Sequence, residues 1–288
     1  MTQSTSSPLI WGFVADLMFA VKIEHAAQEL DFRVRWIENA EQVALPDPTA
    51  PKRQPAEHLV GQGAALIDQV SSSQPALIIF DLGNRGIPWR EWLPLIKSVP
   101  ATRRIPVLCF GSHVDVETMQ AAKRAGAEAV LARSRFVQDL PGLIEKYARL
   151  PDYAGLQDAC RQPLSDLALK GLQEFNHGEY FEAHEFLEDA WNADDTPAKE
   201  LYRAILQVAV AYLQIERKNY RGAVKMFLRM RQWLRPIPGQ CRGVDVDQLR
   251  QDAARVERRL MELGPQGIGG FDRRLFRPVI YDQDFGDK

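Results

Sequence analysis

The sequence predicts two folds in succession: an α/β unit built on a doubly wound parallel sheet of five strands, then an all-α bundle of about five helices. Three observations carry this expectation. The runs PALIIFD (75–81), IPVLCF (105–110) and AEAVLA (127–132) are apolar without alternation, as a parallel strand covered on both faces requires. A helical pattern precedes each of them. From residue 163 to about 263, by contrast, apolar residues recur almost purely at helical spacing. At about 150 residues per domain, the 288-residue chain fits two units. We place the α/β domain at 1–150, a linker at 151–162 around the turn-forming PDYAG, the bundle at 163–265 and an extended tail at 266–288.

Taken in order, residues 9–14 form a short apolar run, followed by Asp16 and a helical stripe of Phe19, Ile23, Ala26, Ala27 and Leu30. Residues 32–37 alternate like a strand. The pattern then fails across LPDPTAPKRQPAE (45–57), where prolines stop both helix and sheet, and a mobile surface loop is expected. A helix around 60–70 leads into the strand that ends at Asp81. Two more strand-forming runs follow, and a helical segment at 136–150 closes a series of five strands alternating with five helices. Right-handed crossovers put helices on both faces of such a sheet, and the strand ends form its binding crevice.

Composition excludes several classes of function. With 45% hydrophobic and 26% charged residues, a net charge of −2 and a pI near 6.2, nothing draws the whole chain to nucleic acid or to an anionic membrane. Cys109, Cys160 and Cys241 have no close spacing, which argues against a zinc knuckle, a redox pair or a disulfide framework and fits a reducing compartment. The opening MTQSTSSPLIWGF lacks a basic signal region, and no apolar run approaches the roughly 20 residues that span a bilayer. A cytoplasmic protein without a membrane segment is expected. Neither a nucleophile elbow nor a Walker-type glycine loop is present.

The strand ending in Asp81, the IPVLCF strand and the AGAEAVL segment with its following loop resemble the receiver domain of bacterial response regulators, over about residues 8–150. That resemblance implies a flavodoxin-like fold with Asp81 as phosphoacceptor. Receiver chemistry also needs an acidic pair to hold magnesium, a hydroxyl after the fourth strand and a lysine after the fifth. Here Asp16 stands beside Ala15, Gly111 takes the hydroxyl position with Ser112 next to it, and Arg133 takes the place of the lysine. An arginine fork does not replace a compact ammonium. A pseudo-receiver used for docking or dimerisation is expected; the plainer reading of Asp81 is a residue that ends a strand and caps a turn.

In the second half, Leu164, Leu167, Leu172 and Phe175 mark one helix, and Asn176, His177 and Gly178 break it. Tyr180, Ala183, Leu187 and Trp191 form the apolar stripe of the next, with His184 on the same stripe and Glu188 one turn on. Glu182 and Glu185 are expected to project elsewhere. His184 and Glu188 could share a metal ion if other helices supplied ligands, or simply hydrogen-bond to each other. Pro197 opens a helix whose centre, AILQVAVAYL (204–213), marks it as the middle of the bundle. Its polar stripe of Glu200, Arg203, Gln207, Gln214 and Arg217 reads as a solvated edge or as a polar wall facing His184 and Glu188. Tyr180 and Ala183 correspond to Tyr220 and Ala223 at a spacing of 40, a weak repeat of helical hairpins. Residues 179–195 carry acids as their only charges apart from His184, whereas 217–235 carry only bases; these faces could attract each other, serve a partner or stay solvated. A last helix, at about 246–263, ends at GPQGIGG, and the tail is expected to strap along the bundle through Phe271, Leu275, Phe276 and Ile280 or to dock another chain.

FNHGEYFEAHEFLEDAW, Arg203 and Gln207, and NYRGA at 219–223 resemble the domain of unknown function 309 family, small helical proteins often labelled predicted metal-dependent hydrolases. The resemblance implies a divalent metal ion with His184, Glu188 and Glu185 as ligands, and His184, Glu188, Gln207 and Arg203 as catalytic candidates. Members often carry a histidine where this chain has Gln214, and a carboxamide is a poor zinc ligand. Two functions are therefore expected to compete. One is a signalling or regulatory protein in which a phosphorylation-deficient receiver-like domain is coupled to a bundle that binds a protein partner or a second copy. The other is a metal-dependent hydrolase centred on His184 and Glu188. Nucleic-acid binding through the basic helix ranks last, because Tyr220, Phe227 and Trp233 also suit the core.

Overall fold

The computed structural model describes residues 7–44, 61–283 and 285, in two compact units. The proline-rich stretch expected as a loop, 45–57, lies outside the described residues.

The first unit alternates strands and helices: β1 (Leu9–Phe13), α1 (Leu17–Glu29), β2 (Arg33–Trp36), α2 (Glu41–Ala44), α3 (Gly61–Ser73), β3 (Leu77–Asp81), α4 (Trp89–Ser98), β4 (Val107–Gly111), α5 (Val116–Arg124), β5 (Ala129–Ala132), α6 (Arg133–Gln138) and α7 (Leu140–Tyr147). All strands are parallel, in the order β2-β1-β3-β4-β5, the flavodoxin-like winding. Two of the three apolar runs are the strands buried at every residue, β3 and β4; the third is β5, only half-buried because it lies at the edge of the sheet. On one sheet face Ile10, Ile79, Leu108 and Phe110 pack against Phe19 and Ile23 of α1 and Phe136, Leu140 and Ile144 of α6 and α7. On the other, Phe13 stacks on Phe80 and meets Trp92 of α4 edge-on. Seven helices, rather than five, are described here. One addition is the single turn α2; the other arises because the 136–150 pattern begins earlier and breaks at Asp139 (φ −140°, ψ 49°), before Pro141.

The second unit contains α8 (Tyr153–Cys160), α9 (Asp166–His177), α10 (Tyr180–Ala193), α11 (Lys199–Glu216), α12 (Tyr220–Leu234), a short hairpin of β6 (Gln240–Cys241) and β7 (Val244–Asp245), and α13 (Val246–Gly267). Among the described residues, six α-helices exceed the five expected. The sixth is α8, in the stretch expected to be a linker: Asp152 accepts the Gly155 N–H at 2.9 Å and so caps a helix where the composition reads as a turn. Consecutive helices from α9 to α13 pack on one another, and α11, mostly buried, lies against both α10 and α12. Ser165 and Asn219 cap α9 and α12. Gly178 (φ 88°) ends α9 in the left-handed region, where a side chain is strained. Tyr180 and Tyr220 both open their helices, and Ala183 and Ala223 are both fully buried, so the weak repeat is a structural one.

Two further expectations need correction. Cys160 and Cys241 form a disulfide across 81 residues of sequence; a spacing of that length carries no signal, and only the packing of α8 against β6 brings the two together. The cysteine argument for a reducing compartment therefore lapses. The last helix ends at GPQGIGG as expected: Gly264 (φ 66°) breaks it, and a separate short helical turn starts at Pro265, the residue type best suited to a first turn. The tail does form a strap, with 3-10 turns at Ile268–Gly270 and Arg273–Leu275, but its seated aliphatic residue is Val279, whereas Ile280 is 56% exposed. The reason is pairing: Asp245 N–H bonds to Ile280 O and Val244 bridges to Tyr281, which fixes the alternation one residue away from that expected.

Candidate functional sites

In the first unit, Asp81 ends β3 with 3% exposure, at the carboxyl edge of the sheet. Its Oδ1 accepts the Gly83 N–H at 2.9 Å and lies 3.4 Å from Arg133 Nη2. Arg133 follows β5 directly and carries its guanidinium over the Phe19 ring, 5.5 Å from the centroid. The turn closes tightly over the pair, since a Cβ on Gly83 would sit 2.5 Å from Arg133 Nη2. Two of the expected partners are placed elsewhere in function. Asp16 is exposed and spends Oδ1 on the Met18 N–H at 2.9 Å, as the N-cap of α1. Gly111 is buried, and a Cβ there would meet Leu82 at 3.4 Å; the exposed Ser112 hydroxyl instead accepts from Val114 N–H at 3.4 Å. Asn84 is a residue that sequence reasoning missed. It is buried, donates to Glu38 O and accepts from Gly86 N–H, both at 2.9 Å, and so ties the loop after β2 to the loop after β3.

In the second unit, α10 brings His184, Glu185 and Glu188 together. His184 Nδ1 lies 3.1 Å from Glu185 Oε1, and Nε2 lies 3.7 Å from Glu188 Oε2. One ligand atom from each residue falls within 4.8 Å of the other two. The expectation that Glu185 projects elsewhere is thus overturned, because Nδ1 of the ring leans toward the next residue. His184 is also partly open, with 28% of its side chain exposed, rather than turned into the core. As a metal site, this donor set is short. One imidazole lends one nitrogen to an ion, so Nε2 and Glu188 could ligate while Glu185 orients the ring through Nδ1. Two ligands from one helix fall below the three that a catalytic centre needs.

The polar stripe of α11 is buried in its middle and open at its end, where Arg217 is exposed. Gln207 is buried, and the Arg203 guanidinium lies between the rings of Trp191 and Trp233. Gln214 turns to the next loop, accepting from Asn219 Nδ2 at 2.7 Å. The aromatic end of the bundle is largely buried: desolvation pushes the pKa of the Tyr180 hydroxyl up to about 12 and raises that of Tyr212 as well, with Phe276 of the tail stacked on Tyr212 at 4.1 Å.

The sequence profile of the Domain of unknown function (DUF309) family matches residues 168–226, from α9 into α12. The N-terminal half is similar to the phosphorylated cyanobacterial phytochrome response regulator RcpA, at 19% identity over 51% of this chain and 99% of that one, with a TM-score of 0.39. A putative response regulator from Chloroflexus aurantiacus matches at 18% identity over 49% of this chain and 97% of its own, with a TM-score of 0.37. The receiver domain of a sensor histidine kinase from Pseudomonas aeruginosa, which holds a magnesium ion in its active-site cleft, matches at 13% identity over 49% and 97%, with a TM-score of 0.37. No curated protein matches the chain.

Proposed function

We propose that this chain is a signalling or regulatory protein, in which a receiver-like unit that no longer takes a phosphoryl group is coupled to a helical unit that binds a protein partner or a second copy. The observation that carries the reading is the state of Asp81. Its carboxylate is buried, and its Oδ1 accepts the Gly83 N–H and lies 3.4 Å from Nη2 of Arg133, so a guanidinium fork stands beside it where receiver chemistry uses a compact ammonium. Magnesium needs near-octahedral oxygen ligands and usually takes one or two carboxylates. The one other acid expected to serve, Asp16, is engaged in capping α1. Incubation with acetyl phosphate and magnesium, followed by intact-mass spectrometry, tests the reading. No adduct is expected; one that disappears in Asp81→Asn would overturn it.

The second reading is a metal-dependent hydrolase, favoured by the convergence of His184, Glu185 and Glu188. The shortfall of ligands ranks it below the first. Metal analysis of the purified protein decides between them: stoichiometric zinc, manganese or nickel that is lost in His184→Ala would establish the ion and defeat the interaction-only reading.

A further inference from the structure

The loop from β3 into α4 and the first turn of that helix line a cavity of about 300 Å³ that neither reading uses. Ile87, Pro88 and Trp89 give it an apolar lining, and Arg85, Arg90 and Glu91 supply charge. The loop is held from behind. Asn84 spends both polar atoms on backbone groups and the Ala40 N–H bonds to Gly86 O at 2.9 Å, so Arg85 stands exposed on a fixed turn. Its guanidinium has no partner among the described residues. Arg90 is fixed as well: its guanidinium carbon lies 4.6 Å from the Trp89 ring centroid, and Nη2 donates to Thr118 Oγ1 at 2.9 Å. Pro88, at the N-cap of α4, has no side-chain acceptor to give. The N–H groups of Trp89, Glu91 and Trp92 bond to Ile87 O and Pro88 O, whereas that of Arg90 has no acceptor among the described residues.

Charge selects the ligand. Two guanidinium groups and an open helix start of about +0.5, set against Glu91, leave the lining at about +1.5. A phosphomonoester carries about −1.5 to −2 at pH 7, a better match than the single charge of a carboxylate. Arginine forks and helix starts both suit phosphate oxygens. Volume limits the rest of the molecule: at about 30 Å³ each, about ten waters would fill the space, so the ligand has about ten non-hydrogen atoms. Glu91, exposed and without a partner among the described residues, is an acceptor that a hydroxyl satisfies. We infer that this cavity binds a small hydroxylated phosphomonoester. Arg85, the Arg90 guanidinium and the Arg90 N–H take the phosphate, and Glu91 accepts from the hydroxyl. Asp81 does not line the cavity, so the site is independent of the fate of that carboxylate.

The test titrates the full chain with glycerol 3-phosphate, a probe of the required size, and follows the Arg90 amide signal; inorganic phosphate and glycerol are the comparators. Glycerol 3-phosphate is expected to shift the signal saturably, inorganic phosphate to bind about fivefold more weakly for want of one hydrogen bond, and glycerol not to bind. Arg85→Gln is expected to weaken both anions about tenfold or more, with the thermal midpoint unchanged because the side chain is exposed and unpaired. Asp81→Asn is expected to leave both affinities as they are. The inference fails if neither anion shifts Arg90 saturably up to about 10 mM, if inorganic phosphate binds as well as the ester, or if Arg85→Gln binds like the parent chain. It fails too if Asp81→Asn abolishes the shift, which would place the anion at the end of β3 instead.

Discussion

Asn176 grips the backbone of Val279 at both polar atoms: its Nδ2 donates to the carbonyl at 3.0 Å and its Oδ1 accepts the N–H at 2.7 Å, across 103 residues of sequence. Asn176→Ala removes both bonds and leaves the Val279 N–H without its acceptor, so a loss of about 1–3 kcal/mol is expected in urea unfolding of the full chain. Locally the residue reads only as a helix breaker, because a pattern of neighbours carries no information about a partner that distant. The same limit hid the Glu185 contact with His184 and the role of Asn84, whereas Asp81 and Arg133 were legible because strand ends in this winding converge on one edge. The tyrosines supply a pH prediction. A phenol raised to about 12 in the fold keeps its proton while the unfolded chain loses its own near pH 10, so the native state binds more protons between these values. Stability contributed by neutral Tyr180 is fully present below pH 10 and is expected to fall as pH rises from 10 toward 12. Tyr180→Phe should flatten that part of the unfolding profile.

At the scale of elements, the α9–α10 hairpin depends on one close approach: a Cβ on Gly171 would lie 2.7 Å from Leu187 Cγ. Gly171→Ala is therefore expected to destabilise the chain by about 1–3 kcal/mol despite the better helix propensity of alanine, as read by thermal melting. The helices themselves were legible because their stripes are regular, and the end of α9 was legible where Asn176, His177 and Gly178 break its pattern; the caps Ser165 and Asn219 were not read from the sequence. The missed element, α8, has a composition that suits turns; its start depends on one Asp152 bond and its end on a disulfide. That disulfide closes a loop containing α9, α10, α11 and α12. By loop entropy it contributes about 4–5 kcal/mol. Beside it, the buried Arg242 pairs with Asp194 at 2.8 Å, reaches Thr196 Oγ1 at 2.8 Å, donates to the Tyr202 hydroxyl and binds the Ala159 carbonyl at 3.3 Å. Cys160→Ser is expected to lower the unfolding free energy by that amount, and reductant to have no further effect on the variant. Thiol counting checks the assignment independently: the unfolded chain should show one reactive thiol without reductant and three with it, since Cys109 alone is free. In the folded chain Cys109 should resist alkylation, because burial raises its thiol well above the ordinary range.

On the scale of the whole molecule, a parallel sheet and a helical bundle are each complete in themselves, with their own cores and capped ends. No helix among the described residues is long and apolar enough to cross a membrane. The proposed reading rests on the flavodoxin-like winding of the first unit, on the Arg133 guanidinium beside Asp81 and on Asp16 as the cap of α1. The most direct measurement is a titration of the full chain with magnesium and beryllofluoride, a phosphoryl mimic, followed at the Gly83 amide that donates to Asp81. The account predicts that this signal stays in place at every concentration. A saturable shift of Gly83, absent in Asp81→Asn, would contradict it.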